Sequence, residues 1–232
     1  MKQSRRDTGL LVMVLLLILG IGAALRFYNL GAQSLWADEG NSAALATRSL
    51  AAITADAAND IHPPLYYWLL HLWTSIFGHD EAGLRSLSAV FGVLLVLATA
   101  ELGRRLHNTA GGLAAGLIAA AAPFQVYYSQ EARMYILVAL EAALSMLLLW
   151  WLLSQEGRRM PEEDVTRTRV RWLPFSGQLL VLVWTAGLYT HYAFALIIAL
   201  STGLYALWLI ATARRGCTGS RILRWLLFLA LT

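Results

Sequence analysis

Long runs without charge constrain this chain more than any other feature. Residues 109–128 contain no charged side chain, and neither do residues 173–213. The second run, at ~1.5 Å per residue, is long enough to cross a ~30 Å hydrocarbon core twice. The whole chain is 58% hydrophobic and 14% charged, whereas soluble domains carry about 25% charged residues. The sequence therefore predicts an all-α integral membrane protein built as a polytopic helical bundle.

Seven transmembrane helices are predicted from the apolar runs. In chain order they are Gly9–Leu25, Ser86–Gly103, Thr109–Tyr128, Met134–Leu153, two helices within Leu173–Ala213 that turn near His191, and a run that begins at Trp225. We interpret the first run as an uncleaved helix rather than a signal peptide, because it is long and further spans follow. Since the last run stops at Thr232, we expect residues 1–232 to form a single transmembrane domain that is incomplete at its carboxyl terminus.

The basic residues set the predicted orientation. They cluster between apolar runs, at Lys2–Arg6, Arg104–Arg105, Arg158–Arg171 and Arg214–Arg224. An amino terminus in the cytoplasm places all four clusters there, as the positive-inside rule requires. The net charge of +4 is therefore interpreted as a topology signal, and we expect no nucleic-acid partner.

The segment Pro63–Gly78 is apolar enough to be taken for a span, but it is short, opens with two prolines and contains His71. If it crossed the membrane, every later loop would change sides. We interpret it as an interfacial helix, because tyrosine and tryptophan rings suit the headgroup level. Residues 26–85 then form an extracytoplasmic loop with two surface helices, one from Glu39 to about Ala52 and one from Pro63 to about Phe77.

Ionisable side chains gather on the predicted outer face. They are Arg26, Asp38, Glu39, Arg48, Asp60, His62, Asp80, Glu81, Arg85, Glu131, Arg133 and His191. A plain helical bundle needs few such groups, whereas a reaction on a lipid-linked anionic substrate at the membrane surface would use them. The single cysteine, Cys217, excludes an intramolecular disulfide and a cysteine-rich metal site.

Five stretches in order, spanning Arg26 to Leu200, carry a family resemblance. They are RFYNLGAQSLWADEGNSA, DIHPPLYYWLLHLWTSIFG, EAGLRSLSAVFGVL, YYSQEARMYILVAL and GLYTHYAFALIIAL. Together they resemble the amino-terminal half of the polyprenyl-phosphate-sugar-dependent glycosyltransferases. These are GT-C fold enzymes related to protein O-mannosyltransferases and to the lipid A aminoarabinose transferase. Members of that family usually continue through several more helices and often a soluble domain.

The resemblance implies a catalytic role for the acidic pair. In the family the first outer loop carries such a pair and its aspartate is the catalytic base, which matches Asp38. Glu39 would support it by orienting the acceptor or an ion. The alternative for the pair is structural: an N-cap followed by a first-turn acid, which a helix dipole favours.

The same resemblance suggests contacts to the donor phosphate. A basic residue lies near the lipid phosphate at the position of His62, and Arg133 would clamp the leaving phosphate unless it is only an interfacial anchor. Arg85 fits either a phosphate or a structural role. A divalent metal held by Asp60 and His62 stays possible, and no other cofactor is expected.

The remaining candidates are supporting residues. Gln130, Glu131 and Tyr135 surround Arg133 in the sequence, and His191 lies in the predicted outer turn. Glu141 lies within the fourth predicted span, where acids are functional candidates by default, although a hydrogen-bonded structural role is equally open.

The resulting hypothesis is a hexosyl- or pentosyltransferase of the plasma (inner) membrane, part of cell-envelope synthesis. It would move a sugar from a polyprenyl phosphate to a lipid, glycan or protein hydroxyl on the extracytoplasmic face. Two alternatives are a polytopic transporter of lipids or solutes and an inert assembly subunit. A transporter predicts ionisable residues near the bilayer midplane, whereas here they collect in loops on one face.

Overall fold

The computed structural model describes residues 2–58, 62–158 and 174–213. Over these ranges the chain is helical and contains no strand, so the predicted all-α class is confirmed there. The helices are α1 (Lys2–Phe27), α2 (Ala37–Ala46), α3 (Leu50–Ala57), α4 (Leu65–Phe77), α5 (Glu81–Leu106), α6 (Thr109–Ala121), α7 (Pro123–Ser129), α8 (Tyr135–Arg158), α9 (Phe175–Thr190) and α10 (Phe194–Ala213).

Within the described ranges, four helices are long and apolar enough to cross a membrane. They are α1 from Gly9, α5, α8 and α10, and the bent pair α6–α7 gives a fifth if it is one span. The apolar helix α9 is shorter, at 16 residues. The seventh predicted run, from Trp225, lies outside the described residues, so the predicted number of seven is not confirmed.

The predicted third span is broken rather than continuous. Its two halves, α6 and α7, meet at 58°, and the cause is Pro123. Proline has no N–H to donate and forces the residue before it out of the helical region. Ala122 accordingly adopts an extended conformation, with φ −62° and ψ 115°.

Arg26 replaces the hydrogen bonds that this break removes. Pro123 cannot donate to the carbonyl of Ala119, four residues earlier, so the end of α6 is left with free acceptors. The fully buried Arg26 guanidinium donates to Ala119 O at 2.9 Å and to Ala120 O at 3.0 Å. Arg26 was predicted to lie among the outer polar groups; here it joins α1 to the end of α6.

One of two expectations about the loops is confirmed, and the other stays a prediction. Helix α9 ends at Thr190 and α10 begins at Phe194, which puts the predicted turn at His191. Helix α4 has 13 residues, about 20 Å of rise, and is not among the candidate spans. One face of α4 buries Tyr66 and Leu70 and the other exposes Ile76. Its position on the membrane surface stays a prediction.

The predicted single helix from Glu39 to about Ala52 is wrong. Helix α2 stops at Ala46, and α3 begins after Ser49, whose hydroxyl accepts a hydrogen bond from Ala52 N at 3.3 Å. A serine at this position satisfies one of the free N–H groups at a helix start. The loop therefore carries three helices, which lie at the end of the bundle where α1 stops and α5 and α8 begin.

Candidate active site

The acidic pair lies in the first turn of α2. The N-cap residue is Trp36, so the alternative in which Asp38 itself is the cap is wrong; Asp38 and Glu39 are the second and third helical residues. The indole of Trp36 contains no hydrogen-bond acceptor, so it cannot accept from the free N–H groups at the start of α2. The Glu39 carboxylate instead accepts from the Trp36 backbone N–H at 3.4 Å.

Asp38 and Glu39 point to different surroundings. Successive residues of an α-helix are about 100° apart around its axis, so adjacent side chains cannot share one site easily. The Asp38 side chain is 42% exposed, whereas Glu39 is 1% exposed. The sequence pair therefore separates into an accessible carboxylate and a buried one.

Glu39 forms a buried ion pair with Arg85. Arg85 Nε donates to Glu39 Oε1 at 2.8 Å and a terminal nitrogen donates to Oε2 at 2.7 Å. Burial alone would raise the pKa of Glu39, but the hydrogen bonds and charge of Arg85 and the Ala132 amide bring that pKa below its usual value. Glu39 is therefore an ionised partner of Arg85.

The other donors of Arg85 are also engaged. They reach the backbone carbonyls of Leu30 at 2.6 Å, Gln33 at 2.8 Å and Ser34 at 3.3 Å. With the two bonds to Glu39, this accounts for the five N–H groups of a guanidinium. Arg85 thus fastens the segment that leads into α2 to the start of α5.

The turn between α7 and α8 is hydrogen-bonded to Glu39 and to the end of α1. Ala132 N donates to Glu39 Oε1 at 2.9 Å. The Gln130 side-chain amide donates to the carbonyls of Leu25 and Tyr28, each at 3.0 Å. These contacts hold the turn against α2 and against the end of α1, and they bring Arg133 next to Asp38.

Asp38 opens into a polar cavity of about 460 Å³, which we call the Asp38 cavity. Its walls bring together side chains from α2, α4 and the turn before α8. The polar side chains that line it are Asp38, Asn41, Arg48, His62, Tyr67 and Arg133. Three predicted site residues, Asp38, His62 and Arg133, therefore meet in one place.

Arg133 is buried at the wall of the Asp38 cavity. It donates to the backbone carbonyl of Asp38 at 3.3 Å, and its contacts to polar side chains are longer. It is 3% exposed, and its terminal nitrogens lie 3.6 Å from Asp38 Oδ2, 3.4 Å from the Tyr67 hydroxyl and 3.4 Å from His62 Nε2. Among the described residues its Nε has no hydrogen-bond partner. The ring of Tyr135 lies 5.7 Å from its guanidinium carbon.

His191 also reaches this end of the bundle. Its ring lies 6.0 Å from the ring of His62, centre to centre, in an edge-to-face arrangement. His191 Nδ1 accepts from Ala193 N at 3.1 Å, which closes its own turn. Asp60, the predicted neighbour of His62, lies outside the described residues. Across the ranges that the structure describes, no three His, Cys, Asp or Glu side chains are grouped to hold a metal ion.

A second cavity, of about 410 Å³, is lined by four more of the predicted residues; we call it the Glu131 cavity. Glu39, Arg85, Gln130 and Glu131 line it. Glu131 is 7% exposed. Burial raises the pKa of Glu131, and a hydrogen bond from Tyr127 partly offsets that effect.

Glu141 has a structural partner. The carboxylate is buried inside α8 and accepts a hydrogen bond from the Thr190 hydroxyl at 2.9 Å. This bond joins α8 to the end of α9, directly before His191. The contact agrees with the hydrogen-bonded alternative considered for this residue.

Two polar residues of the Asp38 cavity, Asn41 and Tyr67, were not among the sequence candidates, and a third, Arg48, was grouped with the outer-face ionisable residues but given no role. Asn41 lies three residues after Asp38, the helical spacing that returns to the same face, so the sequence held that signal. Tyr67 was interpreted as one of several interfacial rings. Nothing in its local sequence distinguishes it from Tyr66, which is buried against Ser88 with their hydroxyl oxygens 3.0 Å apart.

The fold and the site define a class: a membrane-embedded helical bundle with a polar cavity at one end that holds a carboxylate, a histidine and a buried arginine. A model of the dolichyl-phosphate-mannose-protein mannosyltransferase family matches residues 61–232. This match covers more than half of the chain, and the chain belongs to that family of GT-C-like membrane glycosyltransferases. The matched segment includes His62 and Arg133 and begins after Asp38. No match was found among curated proteins or among solved structures.

Proposed function

We propose that this chain transfers a sugar from a polyprenyl-phosphate donor to a hydroxyl group of a lipid, glycan or protein. One observation carries the proposal: Asp38 and Arg133 face the same cavity, with a carboxylate oxygen 3.6 Å from a guanidinium nitrogen. A glycosyl transfer needs both groups, a base for the acceptor and a cation for the departing phosphate. Family membership supports the reaction class.

Asp38 is the proposed base. As the acceptor oxygen bonds to the anomeric carbon, its proton passes to the Asp38 carboxylate. The bond from that carbon to the phosphate oxygen breaks, and polyprenyl phosphate leaves with the electron pair. Attack opposite the leaving group inverts the anomeric carbon. Because the sugar has to lie between base and phosphate, the long contact between Asp38 and Arg133 opens when the substrates bind.

Arg133 is the proposed phosphate contact, and its bonding supports this choice over Arg85. The contacts of Arg133 to polar side chains are 3.4–3.6 Å long, whereas Arg85 holds Glu39 at 2.7 and 2.8 Å. Long, imperfect bonds are exchanged for phosphate oxygens at little cost, and ligand-free sites often show them. We therefore assign phosphate binding to Arg133 with His62, and assign Arg85 to holding α2.

We place the reaction on the extracytoplasmic face of the plasma membrane. The Asp38 cavity lies at the end of the bundle where α5 begins. At the other end of α5, the exposed residues Arg104 and Arg105 both pair with Glu101, at 2.6 and 2.5 Å. Basic residues at one end favour that end as cytoplasmic. The opposite end, with the cavity, then faces outward.

The test supplies membranes containing the full chain with radiolabelled polyprenyl-phosphate sugars and measures label in lipid, glycan and protein fractions. Asp38→Asn should lower transfer by about 10²–10⁴-fold, the usual contribution of a general base. Asp80→Asn is the matched control, because Asp80 is an exposed aspartate that lines neither of the two cavities. Its side chain caps α5 by accepting from Gly83 N at 2.8 Å, and asparagine caps a helix about as well as aspartate. Full transfer by a folded Asp38→Asn protein would refute the proposed base.

Arg133 is tested in the same assay. Arg133→Ala should impair donor use more than Arg133→Lys, because lysine keeps the charge while losing the planar fork. If both variants keep wild-type kinetics, Arg133 is only an anchor. Absence of transfer from every donor, together with uptake of labelled solute into vesicles, would favour the transporter alternative.

A further inference from the structure

The Glu131 cavity has no part in the transfer step proposed above. It adjoins the first turn of α2, as the Asp38 cavity does, since Asp38 lines one and Glu39 the other. Its volume of about 410 Å³ falls in the ~300–1,000 Å³ range of small-molecule sites. A cavity of this size, next to the turn that contains the proposed base, is a candidate ligand-binding site.

Three aromatic rings line the Glu131 cavity and remain accessible. Tyr28, Trp36 and Tyr127 are 75%, 47% and 59% exposed, and they follow α1, precede α2 and belong to α7, respectively. Rings supplied by three separate elements around one cavity offer flat apolar faces. Such faces pack against the C–H side of a sugar ring, while the ring's hydroxyls need polar partners nearby.

The polar wall supplies acceptors rather than cations. Glu131 is 7% exposed and lines the cavity with Glu39 and Gln130. The positive charge present, on Arg85, is already matched by Glu39 at 2.7 Å. A phosphate here would meet the charge of Glu131 without a free guanidinium, so the cavity disfavours anions. A neutral ligand with hydroxyl donors fits its charge.

We propose that the Glu131 cavity binds a neutral, hydroxyl-rich ring of the size of one sugar. This inference deepens the proposed function. It rests on that function in one respect, because it takes the ring to be part of the acceptor or of the donor.

The binding test uses the full chain in lipid nanodiscs free of glycoside detergents, which would compete for the cavity. The probe is methyl α-D-mannopyranoside, observed by saturation-transfer NMR. Wild type should transfer saturation to the ring protons. Loss of one stacking ring in Tyr28→Ala should weaken binding about 2–10-fold. Tyr127→Ala should weaken it at least as much, because the Tyr127 hydroxyl also donates to Glu131. Glu131→Gln should weaken it about 10-fold or more, through loss of a charged acceptor.

Tyr192→Ala is the matched control. Tyr192 is also an exposed tyrosine, at 58%, in the turn before α10 at the same end of the bundle, and it lines neither cavity. Binding that persists in Tyr192→Ala and weakens in both Tyr28→Ala and Tyr127→Ala supports the site. An equal loss in all three variants, or no saturation in wild type, overturns it. If the cavity binds tetramethylammonium but not the mannoside, the proposed neutral ring is wrong and the ligand is a cationic amine.

A second arm identifies the source of the ring. Displacement of the mannoside by polyprenyl-phosphate mannose shows that the donor's sugar uses the cavity, whereas simultaneous binding assigns it to the acceptor. Transfer activity is measured on the same preparations. Intact transfer without mannoside binding removes the cavity proposal alone. Binding with no transfer from any donor counts against the proposed function and leaves the sugar site standing.

Discussion

The buried pair of Glu39 and Arg85 gives the sharpest test of how the two acidic neighbours differ. Glu39→Gln keeps the side-chain shape but removes the charge opposite Arg85, which is 6% exposed. Removing one partner of a buried ion pair costs about 3–5 kcal/mol, because the other charge stays buried and uncompensated. The amide oxygen of glutamine can still accept one bond, so we expect about 3 kcal/mol.

Asp38→Asn should behave in the opposite way. Asp38 is 42% exposed, and its carboxylate lies 3.6 Å from the buried Arg133, beyond hydrogen-bond distance. Because solvent reaches one partner and no hydrogen bond is lost, we expect the change to cost about 1 kcal/mol. We therefore expect Asp38→Asn to lose transfer and keep stability, whereas Glu39→Gln loses stability first. The double variant Glu39→Gln, Arg85→Gln should lose less stability than the sum of the two single variants, because no charge is then left unpaired.

The assay is equilibrium unfolding in mixed detergent micelles, followed by the fluorescence of the nine tryptophans. It is repeated across pH. Because the folded pKa of Glu39 is lowered, its contribution is present above the ordinary glutamate pKa of about 4.3 and is lost as pH falls through the folded value. Glu39→Gln should remove that acid-side loss. A Glu39→Gln protein within 1 kcal/mol of wild type would refute the assignment of Glu39 and Arg85 to a buried structural pair.

Three further predictions concern the pKa of Glu131, the hydrogen bonds of Arg26 and the orientation of the chain in the membrane. Burial raises the pKa of Glu131, so its contribution to stability is full below the ordinary glutamate pKa and falls as pH rises; Glu131→Gln should flatten that fall in unfolding measured from pH 4 to 8. Arg26→Met should cost about 2 kcal/mol or more in the same unfolding assay, because two buried carbonyls at the end of α6 lose their donor; wild-type stability would contradict this. In a protein lacking Cys217, a cysteine at exposed Tyr192 should react with impermeant maleimide from outside and one at exposed His107 from inside; labelling of both from one side would overturn the orientation.

The sequence predicts the helices well where composition alone decides them. The runs that became α1, α5, α8 and α10 are apolar over a whole bilayer thickness, and no packing contact is needed to recognise them. The bend at Pro123 was not predicted, although proline interrupts a helix for reasons of covalent geometry and the residue stood in the predicted span. The break between α2 and α3 was harder, because Thr47 and Arg48 carry no strong helix-breaking signal and only Ser49 marks a new start.

Three residues of the candidate site were predicted from the sequence, but their arrangement was not. The motifs placed Asp38, His62 and Arg133 on one face of the membrane, and the structure brings them to one cavity. The same motifs suggested one shared site for Arg85 and Glu39, which instead pair with each other across 46 positions of sequence. Side-chain periodicity describes neighbours within one helix, so it contains no information about a contact between α2 and α5.

The adjacency of Asp38 and Glu39 acquires a physical meaning from these contacts. Glu39 is joined to Asp38 by a peptide bond, and its carboxylate accepts the N–H of Ala132, the residue before Arg133. One buried carboxylate is therefore attached to both sides of the 3.6 Å contact between Asp38 and Arg133, and Arg85 fixes it to α5. If Asp38 is the base and Arg133 the phosphate contact, as proposed, the buried Glu39 positions both of them without taking part in the reaction itself.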